Sequence, residues 1–314
     1  MASLEAKKKQ HYVMQNYLAR WKSESTDKKN EGIWVFNKTN RRTYFCTNLN
    51  NIAQIGYFYE IYIDSDVLGL LNGRYLKYAE CRPLLEQFDV LRRYDEIKKN
   101  LPIDEINVDL SIVNKNYLED QYSKLENVLA KVIASINEDI YAHTIKIIQK
   151  KDSMDALVAI FMLQLHRTKL CRDAAHNEIQ RLFIKEPNGT DRELSEEQKN
   201  NFIKASLLLD SIVTTIEFTK KSYSVELLVN RTNIKFITTD NPANIFNYEN
   251  RGDLSTFVGY MPLTPSIGLI IRGHKVEGKN YFVRSISHAE ALAINKRIQN
   301  NCTQVYLPKR PIVM

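Results

Sequence analysis

The stretch SEEQKNNFIKASLLLDSIVTTIEFTKKSYSVELLVN, residues 195–230, contains both types of secondary-structure signal that decide the fold. Ser195 and Gln198 have the spacing of a capping box, and the apolar pattern that follows predicts a long helix to about Lys220. The last segment, SVELLVN at 224–230, is β-branched and apolar, which predicts a strand. A long helix that ends just before a strand indicates that helical and β segments both contribute to the fold.

The amino-terminal part of the chain carries further strand signals. The aromatic and β-branched runs GIWVF (32–36) and RTYFC (42–46) flank the sequence NKTN, which predicts a hairpin. The second half of NIAQIGYFYEIYI (51–63) predicts another strand. Before these segments, apolar residues at four-residue steps predict one helix over residues 9–22.

The carboxyl-terminal part is also rich in strand signals. IKFITTD (234–240) follows the strand at 224–230 after an Asn-Arg-Thr-Asn turn, which predicts a second hairpin. SIGLIIRG (266–273) and NYFVRSI (280–286) predict two more strands. Ser287 begins a last predicted helix, and TQVYL predicts a short strand close to the end of the chain.

Helical patterns fill the middle of the chain. They predict helices at 76–94, with Pro83 near an internal start, at 117–149, and from Asp152 to about 184. Strands at both ends with helices between them favour an α+β fold. We therefore expect a mixed or antiparallel β framework, built from both chain ends, with a long central helical region.

The domain organisation follows from the same order of elements. We expect one domain over residues 1–314. Within it, a helical subregion at about 75–222 separates an amino-terminal β segment (30–63) from a carboxyl-terminal β segment (223–307).

Composition and charge predict a cytoplasmic protein with no membrane association. The four cysteines form no CxxC pair, as is typical of reduced thiols, and no apolar run reaches the roughly 20 residues of a membrane helix. The formal net charge of +7 favours nucleic acid or a nucleotide as partner, because Lys and Arg release counterions when they bind phosphates. The alternative is a solvated basic surface. No P-loop, GxGxxG, HExxH or GxSxG motif is present.

Two pairs of polar residues interrupt apolar helical patterns. His11 and Gln15 are four residues apart, so the predicted terminal helix would place them on one face. Histidine can move a proton near neutral pH, whereas the alternative is that both residues brace a neighbouring loop. Gln164 and Arg167 lie on a strongly apolar helix, where a buried arginine must meet either an acidic side chain or a substrate phosphate.

Carboxylates at three positions are candidate partners for these groups. Glu119 and Glu126 are seven residues apart on one face of a predicted helix, and either could pair with Arg167. Glu126 could instead be a catalytic or metal-binding carboxylate. Asp240 ends a β run immediately before Asn241 and a proline, where an aspartate holds a metal ion or water, or simply forms an Asx-turn.

Four segments together are similar to one known family. QHYVMQNYLARW, NIAQIGYFYE, FMLQLHRTKLCR, and FITTDNPANIF followed by MPLTPSIGLII resemble, in order and spacing, the motifs of the bacterial domain-of-unknown-function family 4238. The resemblance extends from about 10 to 306. It implies a bacterial or mobile-element setting and a shared set of polar positions. Three residues depart from the family pattern of Pro, Pro and Ser at these positions: Met14, Lys169 and Thr239.

Three functional hypotheses follow, of which the third is a regulatory or partner protein encoded in an operon, with no small-molecule site. The first is a nuclease-like hydrolase directed at phosphodiesters or nucleotides, acting in bacterial defence or as a toxin. Its expected catalytic residues are His11, Gln15, Gln164, Arg167 and Asp240. Its expected substrate-binding residues are Arg20, Arg172 and Asn241, with Arg167 and Arg172 holding phosphate, and Mg²⁺ would bind Glu126 and Asp240. The alternative is a non-catalytic nucleic-acid or protein binding module, in which the polar cluster is a structural network.

Overall fold

The computed structural model describes residues 5–23, 31–100, 104–136, 148–249 and 253–310. The chain divides into two compact units. The first comprises residues 1–10, 55–125 and 170–213, and the second comprises 11–54, 126–169 and 214–314. The expected single domain stays a prediction. No helix in the described ranges is both long and apolar enough to span a bilayer.

The elements follow one another in an order that places strands at both ends of the chain. The first are β1 (Lys9–His11), α1 (Gln15–Leu18), β2 (Ile33–Asn37), β3 (Arg42–Cys46) and β4 (Gln54–Gly56). The middle contains α2 (Ser65–Tyr75), α3 (Arg82–Asn100), α4 (Asp104–Ser135), α5 (Lys151–Arg167), α6 (Lys169–Glu178), β5 (Phe183–Lys185), β6 (Asp191–Glu193) and α7 (Glu196–Lys220). The last are β7 (Ser224–Val229), β8 (Thr238–Thr239), β9 (Asn244–Asn247), β10 (Val258–Pro262), β11 (Ile267–Arg272), β12 (Tyr281–Ser285), α8 (His288–Gln299) and β13 (Gln304–Leu307).

The first unit is predominantly helical. Helices α2 and α3 pack together, and β5 pairs with β6 in a small antiparallel hairpin. The rings of Tyr59 and Tyr122 lie 4.7 Å apart within its core. Helix α7 starts with the predicted capping box, because the Gln198 amide nitrogen donates to Ser195 Oγ (3.2 Å) and the Ser195 amide nitrogen donates to Gln198 Oε1 (3.0 Å).

The second unit contains two larger sheets. A five-stranded sheet has the order β12-β7-β11-β10-β9, and only the pairing of β12 with β7 in it is parallel. A four-stranded antiparallel sheet has the order β3-β2-β13-β8, so strands from both chain ends pair directly. One apolar cluster joins the two sheets and α8, and it includes Leu228, Tyr260, Ile298 and Val305. The predicted α+β fold with a β framework from both ends is confirmed.

The predicted helix over residues 9–22 is wrong. The chain forms β1, stays extended at Met14 (ψ 127°), and is helical only from Gln15. The physical reason is that the backbone of this segment finds distant partners. The Tyr12 amide nitrogen donates to the Ala53 carbonyl (3.0 Å), and the side chain of Gln164 bonds to the backbone on both sides of Val13. These contacts replace the local hydrogen bonds that a helix needs.

Two strand predictions are also wrong. The second half of 51–63 is a turn followed by coil, because the Tyr59 amide nitrogen donates to Gln10 Oε1 (2.6 Å) and the Ile61 amide nitrogen donates to the Asn114 carbonyl (3.1 Å). The predicted second hairpin does not form either. Strand β7 pairs with β11 and β12, whereas β8 pairs with β13 in the other sheet.

The middle of the chain is helical as predicted, but α2 was not predicted, and the helix predicted at 76–94 is α3, which begins at Arg82 and extends to Asn100. Helix α4 ends at Ser135, and residues 137–147 of the predicted helix lie outside the described residues. Extended backbone at Thr168 (ψ 155°) separates α5 from α6, so the predicted helix over about 152–184 is two shorter ones.

Candidate functional site

The site is built around Arg167, the last residue of α5, in the second unit. Its side chain is 1% exposed and pairs with the carboxylate of Glu126 from α4. Its other terminal nitrogen donates to the carbonyl oxygen of His11. Of the two predicted acidic partners, Glu119 and Glu126, Glu126 is the one that pairs with Arg167. A buried guanidinium with a carboxylate and a carbonyl as acceptors has its charge compensated inside the protein.

Gln164 lies one helical turn before Arg167 and bonds to the same amino-terminal segment. Its Nε2 donates to the carbonyl oxygen of Tyr12 (2.8 Å), and its Oε1 accepts from the amide nitrogen of Met14 (3.4 Å). A polar residue in this apolar helix thus satisfies backbone groups that would otherwise be buried without partners. Gln164 and Arg167 together fix the backbone of residues 11–14.

His11 and Gln15 are in contact, although no helix connects them. Gln15 Nε2 lies 3.0 Å from His11 Nε2 and also donates to Asn50 Oδ1 (2.5 Å). Burial lowers the pKa of His11, and the nearby charge of Arg167 lowers it further, whereas Glu126 raises it. The imidazole is consequently biased towards its neutral form, in which Nε2 can accept a hydrogen bond.

Asp240 and Asn241 bind backbone and hydroxyl groups near the start of β13. The Asp240 carboxylate accepts from the Thr303 amide nitrogen (3.0 Å) and from the Thr303 hydroxyl. Asn241 Oδ1 accepts from the hydroxyl of Thr168 (3.0 Å), the residue that follows Arg167. Thr168 therefore connects Asn241 to Arg167, its neighbour in the chain.

Two of the predicted substrate-binding residues, Arg20 and Arg172, make contacts within the protein. Arg20 donates to the carbonyl oxygens of Ile133 and Ile136 at the end of α4, where a cation is favourable because helix carbonyls there are unpaired. Arg172 belongs to the first unit, where its guanidinium lies 3.9 Å from the ring centroid of Phe58. Burial lowers the pKa of Arg172.

The side chains at the predicted metal positions do not fit a Mg²⁺ ion. Within the described ranges, no group of three or more His, Cys, Asp or Glu side chains is arranged to hold a metal. The carboxylate of Glu126 pairs with Arg167, and that of Asp240 accepts from Thr303. Mg²⁺ ligands are oxygen atoms that face the ion from several sides, and these two carboxylates face protein donors.

Sequence reasoning missed a second feature of this unit, which we call the basic surface. Its members are Lys38, Arg41, Arg42, Lys296, Arg297, Lys309 and Arg310, and all seven are exposed. None of them is in an ion pair in the described part of the chain. They lie in two segments, 32–51 and 291–310, that contain no Asp or Glu. This local absence of acidic residues is the signal that could have revealed the surface.

The two segments meet around the four-stranded sheet. Lys38 Nζ in the β2–β3 turn donates to the Gln299 carbonyl at the end of α8 (2.5 Å). The guanidinium of Arg310, beyond β13, lies 5.4 Å from the ring centroid of Trp34 in β2. The Arg297 guanidinium lies 4.0 Å from the Phe246 ring centroid. These contacts place Lys38 and Arg310 beside the two ends of the β2–β13 pairing, and Arg297 beside β9.

The chain belongs to the family described as "Protein of unknown function (DUF4238)", whose model matches residues 9–307. The resemblance of its four motifs is thereby confirmed. No curated protein and no solved structure matches the chain.

Proposed function

From this family membership and the geometry of the second unit, we propose that the protein is a cytoplasmic, non-catalytic module that binds nucleic acid. The observation that carries the proposal is the basic surface. The chain has 44 Lys and Arg and 37 Asp and Glu, and its net charge of +7 equals the seven cations of the basic surface. The rest of the chain is therefore formally neutral in sum, with 37 Lys and Arg against 37 Asp and Glu, whereas segments 32–51 and 291–310 contain seven cations and no acidic residue.

Concentrated, unpaired cations favour a polyanionic ligand. Most other described arginines pair with carboxylates, as Arg92 does with Asp89 (2.8 Å) and Arg272 with Glu226 (2.6 Å). Cations without such partners retain their full attraction for phosphates and release counterions when they bind them. The cluster around Arg167 has a structural role in this proposal, because its donors are directed at the protein's own carbonyls and carboxylates.

A salt titration of binding tests the proposal. We would measure the affinity for labelled RNA and DNA oligonucleotides between 50 and 200 mM salt, a range over which phosphate contacts weaken binding strongly. Arg41→Gln/Arg42→Gln should lower the affinity and reduce the slope of log K against log salt by about 0.7–0.9 per lost contact. The control Lys124→Gln/Lys131→Gln removes the same charge from exposed positions on α4. Equal effects of the two double variants, or no binding at all, would contradict the proposal.

A second candidate is the phosphodiester-directed hydrolase, acting in bacterial defence. The observation that favours it is the contact between His11 and Gln15, because a neutral imidazole can accept a proton from water. Cleavage of RNA, DNA or nucleotides by the wild type, abolished in a folded His11→Gln variant, would support this candidate. The same activity in both proteins would point to a contaminating nuclease.

A further inference from the structure

The edge of the four-stranded sheet exposes aromatic side chains next to the basic surface. Strand β3 is an edge strand, and Tyr44 and Phe45 in it are 41% and 37% exposed. Neighbouring residues of a strand point to opposite faces. Phe45 pairs across the sheet with Trp34, and their ring centroids lie 5.0 Å apart, so these two rings share one face.

The Phe45 ring is held in place by the backbone beneath it. A Cβ atom at Gly32 would lie 2.7 Å from the Phe45 ring and 2.6 Å from the Cys46 carbonyl oxygen. Glycine at position 32 therefore allows the ring to lie close to the main chain. The Arg310 guanidinium lies 5.4 Å from the centroid of the Trp34 ring, so a planar cation accompanies the two aromatic rings.

We propose that this face binds single-stranded nucleic acid, with a base stacked on Phe45 beside Trp34 and phosphates held by Lys309 and Arg310, which closely follow Leu307, the strand partner of Trp34. This inference rests on the proposed function and adds the class of ligand. Charge complementarity selects the occupant, because the surrounding cations require a polyanion. Exposed rings add affinity only for bases that are free to unstack, and the bases of a duplex are not.

The first test compares ligands and variants by fluorescence anisotropy. The probes are a 12-nucleotide oligo-U, a 12-nucleotide oligo-dT and a 12-base-pair duplex. Phe45→Ala should weaken binding of the single strands by roughly 5-fold to 100-fold, the usual range for one base–aromatic stack. Tighter binding of oligo-U would identify RNA as the preferred ligand, and tighter binding of oligo-dT would identify DNA.

Phe183→Ala is the matched control. Phe183 is a 42% exposed phenylalanine in a strand of the first unit, and the Arg181 guanidinium lies 5.2 Å from its ring centroid. It therefore matches Phe45 in exposure and has a neighbouring cation, as Trp34 has in Arg310, but Arg181 pairs with Glu193. We expect this variant to bind single strands as the wild type does.

A second, direct readout is tryptophan fluorescence. The chain has two tryptophans, of which Trp21 is fully buried and Trp34 is partly exposed. A base stacked on Phe45 would lie close to Trp34, whose ring centroid is 5.0 Å from that of Phe45, and should quench the emission. The quench should be absent in Trp34→Phe while binding remains.

The outcomes separate the two proposals. Equal binding of duplex and single strands, with Phe45→Ala unchanged and Arg41→Gln/Arg42→Gln weakened, would overturn the stacking inference and leave nucleic-acid binding intact. Failure of all three probes to bind would overturn both.

Discussion

The pairing of Arg167 with Glu126 makes the sharpest prediction about stability. Arg167→Met removes a guanidinium whose side chain is 1% exposed, and leaves behind the His11 carbonyl and a carboxylate that is 20% exposed. Water can reach the carboxylate in part, so we expect a loss of about 2–4 kcal/mol in the free energy of unfolding. Glu126→Gln should cost more, about 3–5 kcal/mol, because it leaves a buried positive charge without a countercharge.

The double variant distinguishes a coupled pair from two independent sites. If the pair is a unit, Arg167→Met/Glu126→Gln should cost less than the sum of the single losses, by about 1–3 kcal/mol. Lys151→Met is the control on the same helix, because its ion pair with Asp155 is solvent-exposed and should contribute under about 0.5 kcal/mol.

Urea unfolding, monitored by tryptophan fluorescence, measures the free energy of unfolding in the unit that contains the pair. Both tryptophans, Trp21 and Trp34, lie in the second unit with Arg167 and Glu126. A loss within about 0.5 kcal/mol of zero for Arg167→Met, with no coupling to Glu126, would refute the structural network, since such values are those of exposed pairs. The guanidinium would then be free to bind phosphate, as the hydrolase hypothesis requires.

Three further predictions concern titration and strand pairing. The folded pKa of His11 lies below its usual 6.5, so the unfolded state binds more protons in acid and the free energy of unfolding should fall below about pH 6.5. Urea unfolding against pH should show this loss in the wild type and a flatter profile in His11→Gln. Burial lowers the pKa of Lys204 from 10.5 to about 8. The unfolded state therefore binds more protons between these two pH values, and the free energy of unfolding should rise as the pH rises. Lys204→Met should abolish this rise in circular-dichroism melts recorded at each pH. Asp240→Ala removes two acceptors of Thr303 and should cost about 2–4 kcal/mol by urea unfolding, against about 1–2 kcal/mol for Thr303→Val.

Local signals in the sequence were sufficient for much of the fold. The predicted capping box at Ser195 is present, and the helix predicted to begin at Ser287 also starts with such a box, which uses only residues three positions apart. The hairpin of β2 and β3 also forms as its two aromatic runs and short turn predict. The same holds for the α+β class, which depends on the order of these local elements along the chain.

Part of the candidate site was also predictable. Polar residues inside apolar patterns must find partners, and this argument singled out Gln164 and Arg167, which are both buried and hydrogen-bonded. It did not predict that their partners include main-chain atoms of residues 11–14. Backbone groups are the same at every position, so the sequence carries no mark of which ones a distant side chain will bind.

The sequence by itself determined the elements whose hydrogen bonds are local, and it determined the excess of seven positive charges. Only the tertiary structure decided where that charge collects. The acid-free segments 32–51 and 291–310 are far apart along the chain, and the antiparallel pairing of β2 with β13 brings them together. Strand pairing joins backbone groups irrespective of sequence separation, and register follows from which faces become buried in the whole unit. For that reason, the basic surface exists only once the fold is complete.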